Sequence, residues 1–338
     1  MKIRWGWYLG AVLLVAAAAT GFFIVQYYTG AAVSRDAVVL VPTGSDFARL
    51  SDSLRAGGAL RNPDRFLSLA RAKGLDGNVR PGRYALKRGM TYAELVNRLR
   101  AGLQDPVRVT FNNVRTLDRL AGSVSRRLEA DSAQLAAVLC GDSAPARYGY
   151  TPQTFIAMFI PNTYELYWNI SPEEFLSRMS RESDRFWKSR DAKLVRSGLT
   201  RSEAMTLASI VYEETKKKAE MPRVAGVYMN RLKKGMPLQA DPTVKFAMGD
   251  FSIRRVLNRH LETESPYNTY RHAGLPPGPI CMPSIDAIDA VLDYEDHDYL
   301  YFCAKDDLSG THAFARTLAE HNRNAQAYAR ALDRMKIR

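Results

Sequence analysis

From Trp5 to Tyr28 the chain carries no charged side chain, and no other feature restricts its fold as strongly. A helix rises about 1.5 Å per residue, so about 20 apolar residues cross the roughly 30 Å hydrocarbon layer of a membrane. The run therefore reads as a transmembrane helix. Lys2 and Arg4 precede it, so the positive-inside rule keeps the N-terminus cytoplasmic and sends the following chain outward. Trp5, Trp7, Tyr27 and Tyr28 fall where an aromatic belt lies. Ala16–Ala19 offers the small residues of a cleaved signal peptide. The apolar run nevertheless continues through Phe22, Phe23, Ile24 and Val25, which favours a retained anchor over residues 1–29. In either case the body is extracytoplasmic. That location points away from ATP, NAD and nucleic acid and toward a substrate in the cell envelope.

The 338 residues leave room beyond the anchor for two or three domains. A formal charge of +13 asks for an anionic neighbour. Lys and Arg are scattered through every segment rather than gathered on one helix with interleaved aromatics, so no nucleic-acid partner is expected. Cys140, Cys281 and Cys303 are too few and too far apart for a disulfide framework or a zinc ribbon, although one Cys281–Cys303 bridge stays open. His260, His272, His297, His312 and His321 never pair at i, i+4, so neither a metal nor another cofactor is expected.

Val38–Val41 reads as a strand after a short tether. Phe47, Leu50 and Leu54 at i, i+3, i+7 mark a helix ending at Gly57-Gly58, and Asn62-Pro63 opens a second. Arg83–Leu86 reads as another strand, and Thr91 with Glu94 forms a capping box for a helix that runs to Gly102. This α+β unit over residues 36–104, in the order strand, helix, helix, strand, resembles a LysM module, a small glycan-binding fold, with one extra helix. Residues 105–150 form a connecting segment with a strand at Val107–Phe111 and two helices. From Thr151 the composition turns aromatic, and a mixed α/β domain is expected over residues 151–338.

Within it Thr200 and Glu203 make another capping box, opening a helix that ends in two adjacent carboxylates, Glu213 and Glu214. On a helical wheel Ala204, Leu207, Ile210 and Val211 define the buried face. Glu214 falls on that face, and Glu213 falls beside Thr206 and Ser209. A carboxyl on an apolar stripe either pairs with a cation, here Arg231, or is kept protonated by desolvation, as a glycosidic general acid requires. Periodicity alone leaves both readings open.

The helix Leu207–Thr215 resembles the catalytic helix of the MltG (YceG-like) family of endolytic transglycosylases. The likeness extends through Asn230-Arg231-Leu232, the loop Gly235–Thr243, Tyr267-Asn268-Thr269-Tyr270, Gly274–Ile280, Tyr299–Phe302, His312 with Phe314, and His321-Asn322. It also takes in the N-terminal anchor, the LysM-like unit and Phe159–Tyr164. Tyr212 departs from the family, which often has an acidic residue there. The resemblance implies that Glu214 is the catalytic acid/base of a lytic transglycosylase, cutting the β-1,4 bond between N-acetylmuramic acid and N-acetylglucosamine in nascent peptidoglycan strands. The muramoyl 6-hydroxyl attacks its own C1 and leaves a 1,6-anhydro end, which terminates strand elongation.

Gln239, Asp241, Tyr267, Asn268 and Tyr270 are the expected substrate-binding side chains. Peptidoglycan strands, the cytoplasmic membrane and peptidoglycan synthases are the expected partners. Two other readings are carried forward: a lysozyme-like muramidase using Asp241 as second carboxylate, and a non-catalytic glycan-binding scaffold.

Overall fold

The computed structural model describes residues 2–253 and 255–335. The side chains of Lys2 and Arg4, on which the membrane orientation rests, lie outside the described side chains. By contacts the chain divides into two units. The first holds the chain up to residue 109 with 127–130 and 164–171, and the second holds 110–126, 131–163 and the chain from 172 onward.

The first unit begins with α1 (Lys2–Thr29). Its side chains from Trp5 to Val25 are exposed on every face. A large apolar side chain left in water forgoes roughly 1.5–3 kcal/mol, so a helix apolar all round and unburied suits a lipid surround. Trp5–Thr29 is long and apolar enough to cross a membrane. At Tyr27 the pattern changes, because that ring is buried in the same core as Tyr84, Leu95 and Val96. The tether expected after the span is not slack. The N–H groups of Ala32 and Val33 donate to the Met90 carbonyl at 2.8 and 3.2 Å, and Ala31 and Val33 form β-bridges with Thr91 and Leu60. Two small apolar side chains, both fully buried, let this extended segment sink into the core.

Strand β1 (Ala37–Val41) pairs antiparallel with β2 (Gly82–Leu86), with Val39 opposite Tyr84. Between them run α2 (Phe47–Ala56) and α3 (Pro63–Ala72), capped by Asp46 and Asn62. Helix α4 (Tyr92–Ala101) follows, with the Thr91–Glu94 capping box in place and Gly102 closing it in the left-handed region at φ 68°. The expected order strand, helix, helix, strand, then helix is present, and the likeness to a LysM module rests on that order alone.

Strands β3 (Val107–Phe111) and β4 (Asn162–Leu166) each straddle a boundary between the units in sequence. The second unit is chiefly helical, giving a mixed α+β chain. It carries α5 (Leu117–Ser125), α6 (Ser132–Leu139), α7 (Ser143–Arg147), a 3-10 turn at Phe155–Met158, α8 (Pro172–Lys188) and α9 (Asp191–Ser197). There follow α10 (Arg201–Glu214), α11 (Met221–Lys233), α12 (Asp241–Met248), α13 (Asn258–Leu261) and α14 (Ile285–Leu292). The antiparallel hairpin of β5 (Tyr301–Ala304) and β6 (His312–Ala315) and the helix α15 (Leu318–Arg334) complete it.

Helix α10 is the centre of this unit, packed by α11, α12, α14 and the 3-10 turn. Every residue from Ala204 to Val211 is buried, which corrects the amphipathic reading of this helix. Thr206 and Ser209 do not mark a wet face. Their hydroxyls are satisfied inside, Thr206 Oγ1 donating to the Ser202 carbonyl at 2.7 Å and Ser209 Oγ to the Thr206 carbonyl at 2.7 Å. Ser209 Oγ also accepts the Ile280 N–H at 3.0 Å.

Candidate functional site

The end of α10 carries two adjacent carboxylates, Glu213 and Glu214, and gives them opposite surroundings. Glu213 accepts from Arg115 Nη2 at 2.6 Å and lies 3.2 Å from Lys216 Nζ. Glu214 has no cation within ion-pair distance among the described residues. It accepts a hydrogen bond from the Tyr228 hydroxyl at 2.7 Å and opens onto a cavity of about 430 Å³. Burial pushes its carboxyl up to about 7. The charges of Asp241 and Glu213 push the same way, against the Tyr228 hydrogen bond and Lys245. Glu214 is also the last residue of α10, where the partial negative charge of the helix C-terminus further disfavours a carboxylate. At neutral pH such a group both gives and takes a proton.

The salt bridge to Arg231 that the sequence left open is not formed. Arg231 is buried and spends its guanidinium on oxygen atoms of the loops: Nε on the Leu300 carbonyl at 2.7 Å, and Nη1 on Pro237, Leu238 and Gln239 Oε1 at 2.9, 3.0 and 3.1 Å. Those bonds hold Gln239 at φ 52°, a left-handed conformation costing an ordinary residue roughly 1–2 kcal/mol. The Gln239 N–H reaches the Thr269 carbonyl at 3.0 Å, and Thr269 Oγ1 accepts the Ala240 N–H at 3.0 Å and lies 2.8 Å from Thr243 Oγ1. One buried network thus fixes the loop before α12 to the loop at 267–270.

Of the residues expected to bind substrate, Gln239, Asp241 and Tyr270 line the cavity with Glu214. The Tyr270 hydroxyl donates to Asp241 Oδ1 at 2.6 Å. Burial, and then that bond, push Tyr270 upward, so it remains a donor at neutral pH. Tyr228 is raised likewise, first by burial and then by Glu214.

Tyr267 and Asn268 lie outside the cavity lining. Tyr267 packs on Phe246, ring centroids 4.7 Å apart. Asn268 is fully buried and donates to the Leu261 and Thr263 carbonyls at 2.8 and 2.9 Å, while its Oδ1 accepts the Tyr270 N–H at 3.0 Å. It shapes the loop that presents Tyr270. The Pro276-Pro277-Gly278 turn also lies outside the lining. A Cβ at Gly278 would meet the Gln153 carbonyl oxygen at 2.1 Å, so this glycine serves close packing. Cys281 and Cys303 are free, so the bridge left open between them is not formed.

Sequence reasoning missed other residues of the lining, Tyr228, Tyr301, Cys303, His312 and His321. One signal was available: Tyr228 and Arg231 stand at i, i+3 on α11 and so share a face. The residues of the β5/β6 hairpin and α15 are far away in sequence, and nothing in their local pattern announces the cavity.

The YceG-like family profile matches residues 39–327. The chain is similar to an endolytic murein transglycosylase of Bacillus subtilis (strain 168), 29% identical over 304 residues, covering 85% of this chain and 83% of that protein. An endolytic murein transglycosylase of Streptococcus pneumoniae (strain D39) is 27% identical over 350 residues, which take in 93% of this chain and 63% of the longer relative. Among solved structures, a yceG-like protein from Listeria monocytogenes superposes with a TM-score of 0.55 at 26% identity, over 86% of this chain and 99% of that one.

Proposed function

The chain belongs to the YceG-like family, and from that membership we propose that it is a lytic murein transglycosylase acting through Glu214. The observation that carries this reading is a carboxyl lifted to about 7 by burial, with no cation within ion-pair distance among the described residues and open to a cavity. Its substrate is the peptidoglycan glycan strand. Glu214 protonates the leaving oxygen of the β-1,4 bond between N-acetylmuramic acid and N-acetylglucosamine, and as the carboxylate takes a proton from the muramoyl 6-hydroxyl as that oxygen closes on C1. The product is a 1,6-anhydro end, and no water is consumed. Tyr228 holds the carboxyl in place, while Gln239 and the Tyr270–Asp241 pair offer hydrogen-bonding groups suited to N-acetyl and hydroxyl substituents.

In the same proposal α1 is a single-pass anchor in the cytoplasmic membrane with its N-terminus inside. The strand–helix–helix–strand unit binds glycan as a LysM-like module, and the body acts outside the membrane on nascent strands beside their synthases, ending elongation. The test is mass spectrometry of fragments released from purified peptidoglycan by the full chain in detergent, compared with Glu214→Gln. Anhydro ends formed by the wild type, with a rate roughly 100 to 10,000-fold lower in Glu214→Gln, are expected. Wild-type activity in the variant would end the assignment. Reducing ends carrying an added water would instead favour a muramidase with Asp241 as the second carboxylate.

A further inference from the structure

The place where α1 enters the first unit is bordered by cations that the unit leaves without a counter-ion. Lys73, the residue after α3, sets its Nζ over the Tyr27 ring, 5.3 Å from the centroid. Arg100 Nη1 donates to the Lys73 carbonyl at 3.4 Å. Arg65 lays its guanidinium over the Tyr92 ring at 5.2 Å, and the Tyr92 N–H donates to the carbonyl of Gly30, the residue after α1, at 3.3 Å. The ion pairs within the first unit, among the described residues, join Arg55 to Asp64, Lys87 to Asp36 and Arg98 to Asp105, and use none of these three cations. Glu94, close to Tyr92 in sequence, is spent on the Thr91 N–H and hydroxyl at 2.8 and 3.0 Å. Arg65 Nε and Nη2 are enclosed with no acceptor among the described residues.

The helix sets the depth of these charges. Trp5–Thr29 has 25 residues, about 37 Å at about 1.5 Å each, against roughly 30 Å of hydrocarbon. Its last turn therefore stands among lipid headgroups once the helix is in a bilayer. Tyr27 and Tyr28 lie in that turn, where interfacial aromatics belong. Lys73 is held on Tyr27, and Arg65 is held through Tyr92 to Gly30, so both stand close to that level. Lipid phosphates occupy the same layer, and each basic side chain near an anionic lipid surface strengthens binding about fivefold. Unneutralised charges of one sign repel one another, and an anion beside them relieves that cost.

We propose that Lys73, Arg100 and Arg65 form a binding surface for anionic phospholipid, receiving the headgroup phosphate where α1 leaves the bilayer. The proposal rests on the reading of α1 as a membrane anchor and is independent of Glu214. Lys73 and Arg100 are exposed and meet the phosphate directly, while Arg65, packed on Tyr92, adds its charge from behind them. A zwitterionic lipid carries the same phosphate beside its own ammonium group, so the surface selects by net headgroup charge.

The test keeps the full chain in a neutral detergent, offers it equal amounts of phosphatidylglycerol and phosphatidylcholine, and counts the bound lipids by native mass spectrometry. The wild type is expected to hold phosphatidylglycerol in preference. Lys73→Gln should cut that preference roughly fivefold, and Lys73→Gln with Arg100→Gln roughly 30-fold. Both side chains are exposed, so these variants should fold. Lys73→Arg should retain the preference. Arg323→Gln with Arg330→Gln, which removes as much charge from the exposed side of α15, should leave it unchanged. Equal retention of the two lipids by the wild type, an unchanged preference in the Lys73 and Arg100 double variant, or an equal loss in the α15 variant overturns the proposal. Release of the full chain from membranes by alkaline carbonate would instead sink the anchor reading on which it rests, so the two failures are distinguishable.

Discussion

Among the described residues Ser51 is the one buried polar side chain of the first unit, while the second encloses Thr206, Ser209, Arg231, Thr243, Asn268 and Thr269 among others. The first unit is held by apolar contact, with Phe66, Tyr84, Leu86, Leu95 and Val96 at its centre. A typical hydrogen bond adds only about 1 kcal/mol net, but a buried group left without one costs about 1–3 kcal/mol. The second unit's polar interior is thus a poor source of stability and an effective way to permit only one arrangement of the two loops at the cavity. The core of the first unit is built to persist, and that of the second to hold side chains in place.

The strongest way to break that contrast is to excavate the first core. Phe66 is fully buried, and Phe66→Ala should cost about 3–5 kcal/mol in denaturant unfolding. The rate of glycan cleavage per folded molecule should stay unchanged. A rate that fell with the mutation in fully folded protein would show that the packing of the first core reaches the chemistry at Glu214.

A smaller effect tests the second unit, where holding a group in place works against stability. Burial raises Glu214 from its ordinary 4.5 to about 7. Between those values the unfolded chain releases the proton first, so stability is lost as pH rises through the window, by up to about 3 kcal/mol. Below about 4.5 the group is neutral in both states and the effect vanishes. Glu214→Gln, neutral throughout, should melt above the wild type at pH 8 and together with it near pH 4. Coincident melting at pH 8 would show that the fold tolerates the carboxylate without cost.

The smallest effect sharpens the comparison by looking for sameness. Capping boxes start α4 and α10, and Thr91→Ala and Thr200→Ala should each cost about 1 kcal/mol. Equal losses in thermal unfolding would place the contrast in packing rather than in local helix rules. A much larger loss at Thr200 would place part of it at the start of α10.

Local chemistry made much of the first unit legible. Asp46, Asn62, Thr91 and Gly102 sit where caps belong, and the alternation Val39, Val41 inward against Val38, Leu40 outward identifies a strand with one wet face. The second unit yielded its capping box and the singular position of Glu214, but the wheel that singled out this residue assumed a solvated side that α10 does not have. The fate of Arg231 was illegible because three of its four partners are backbone carbonyls, and any sequence supplies those. Glu220 Oε2 lies 3.2 Å from His312 Nδ1 although the two residues are 92 apart in the chain, and no local pattern foretells such a pairing. For Asn268 the sequence left substrate contact and internal loop bonding equally open, because an amide serves either, and its bonds run to its own loop.

The burial of Ala32 and Val33 and their bonds to Met90 have a mechanical meaning. Where a flexible leash would let a body swivel and wander, a helix that enters the core through Tyr27 with no free residues acts as a spoke fixed to its hub. Any tilt or rotation of α1 becomes a tilt or rotation of the first unit, so a lipid surface gripping the helix, as in the proposed anchor, would also aim the fold it carries.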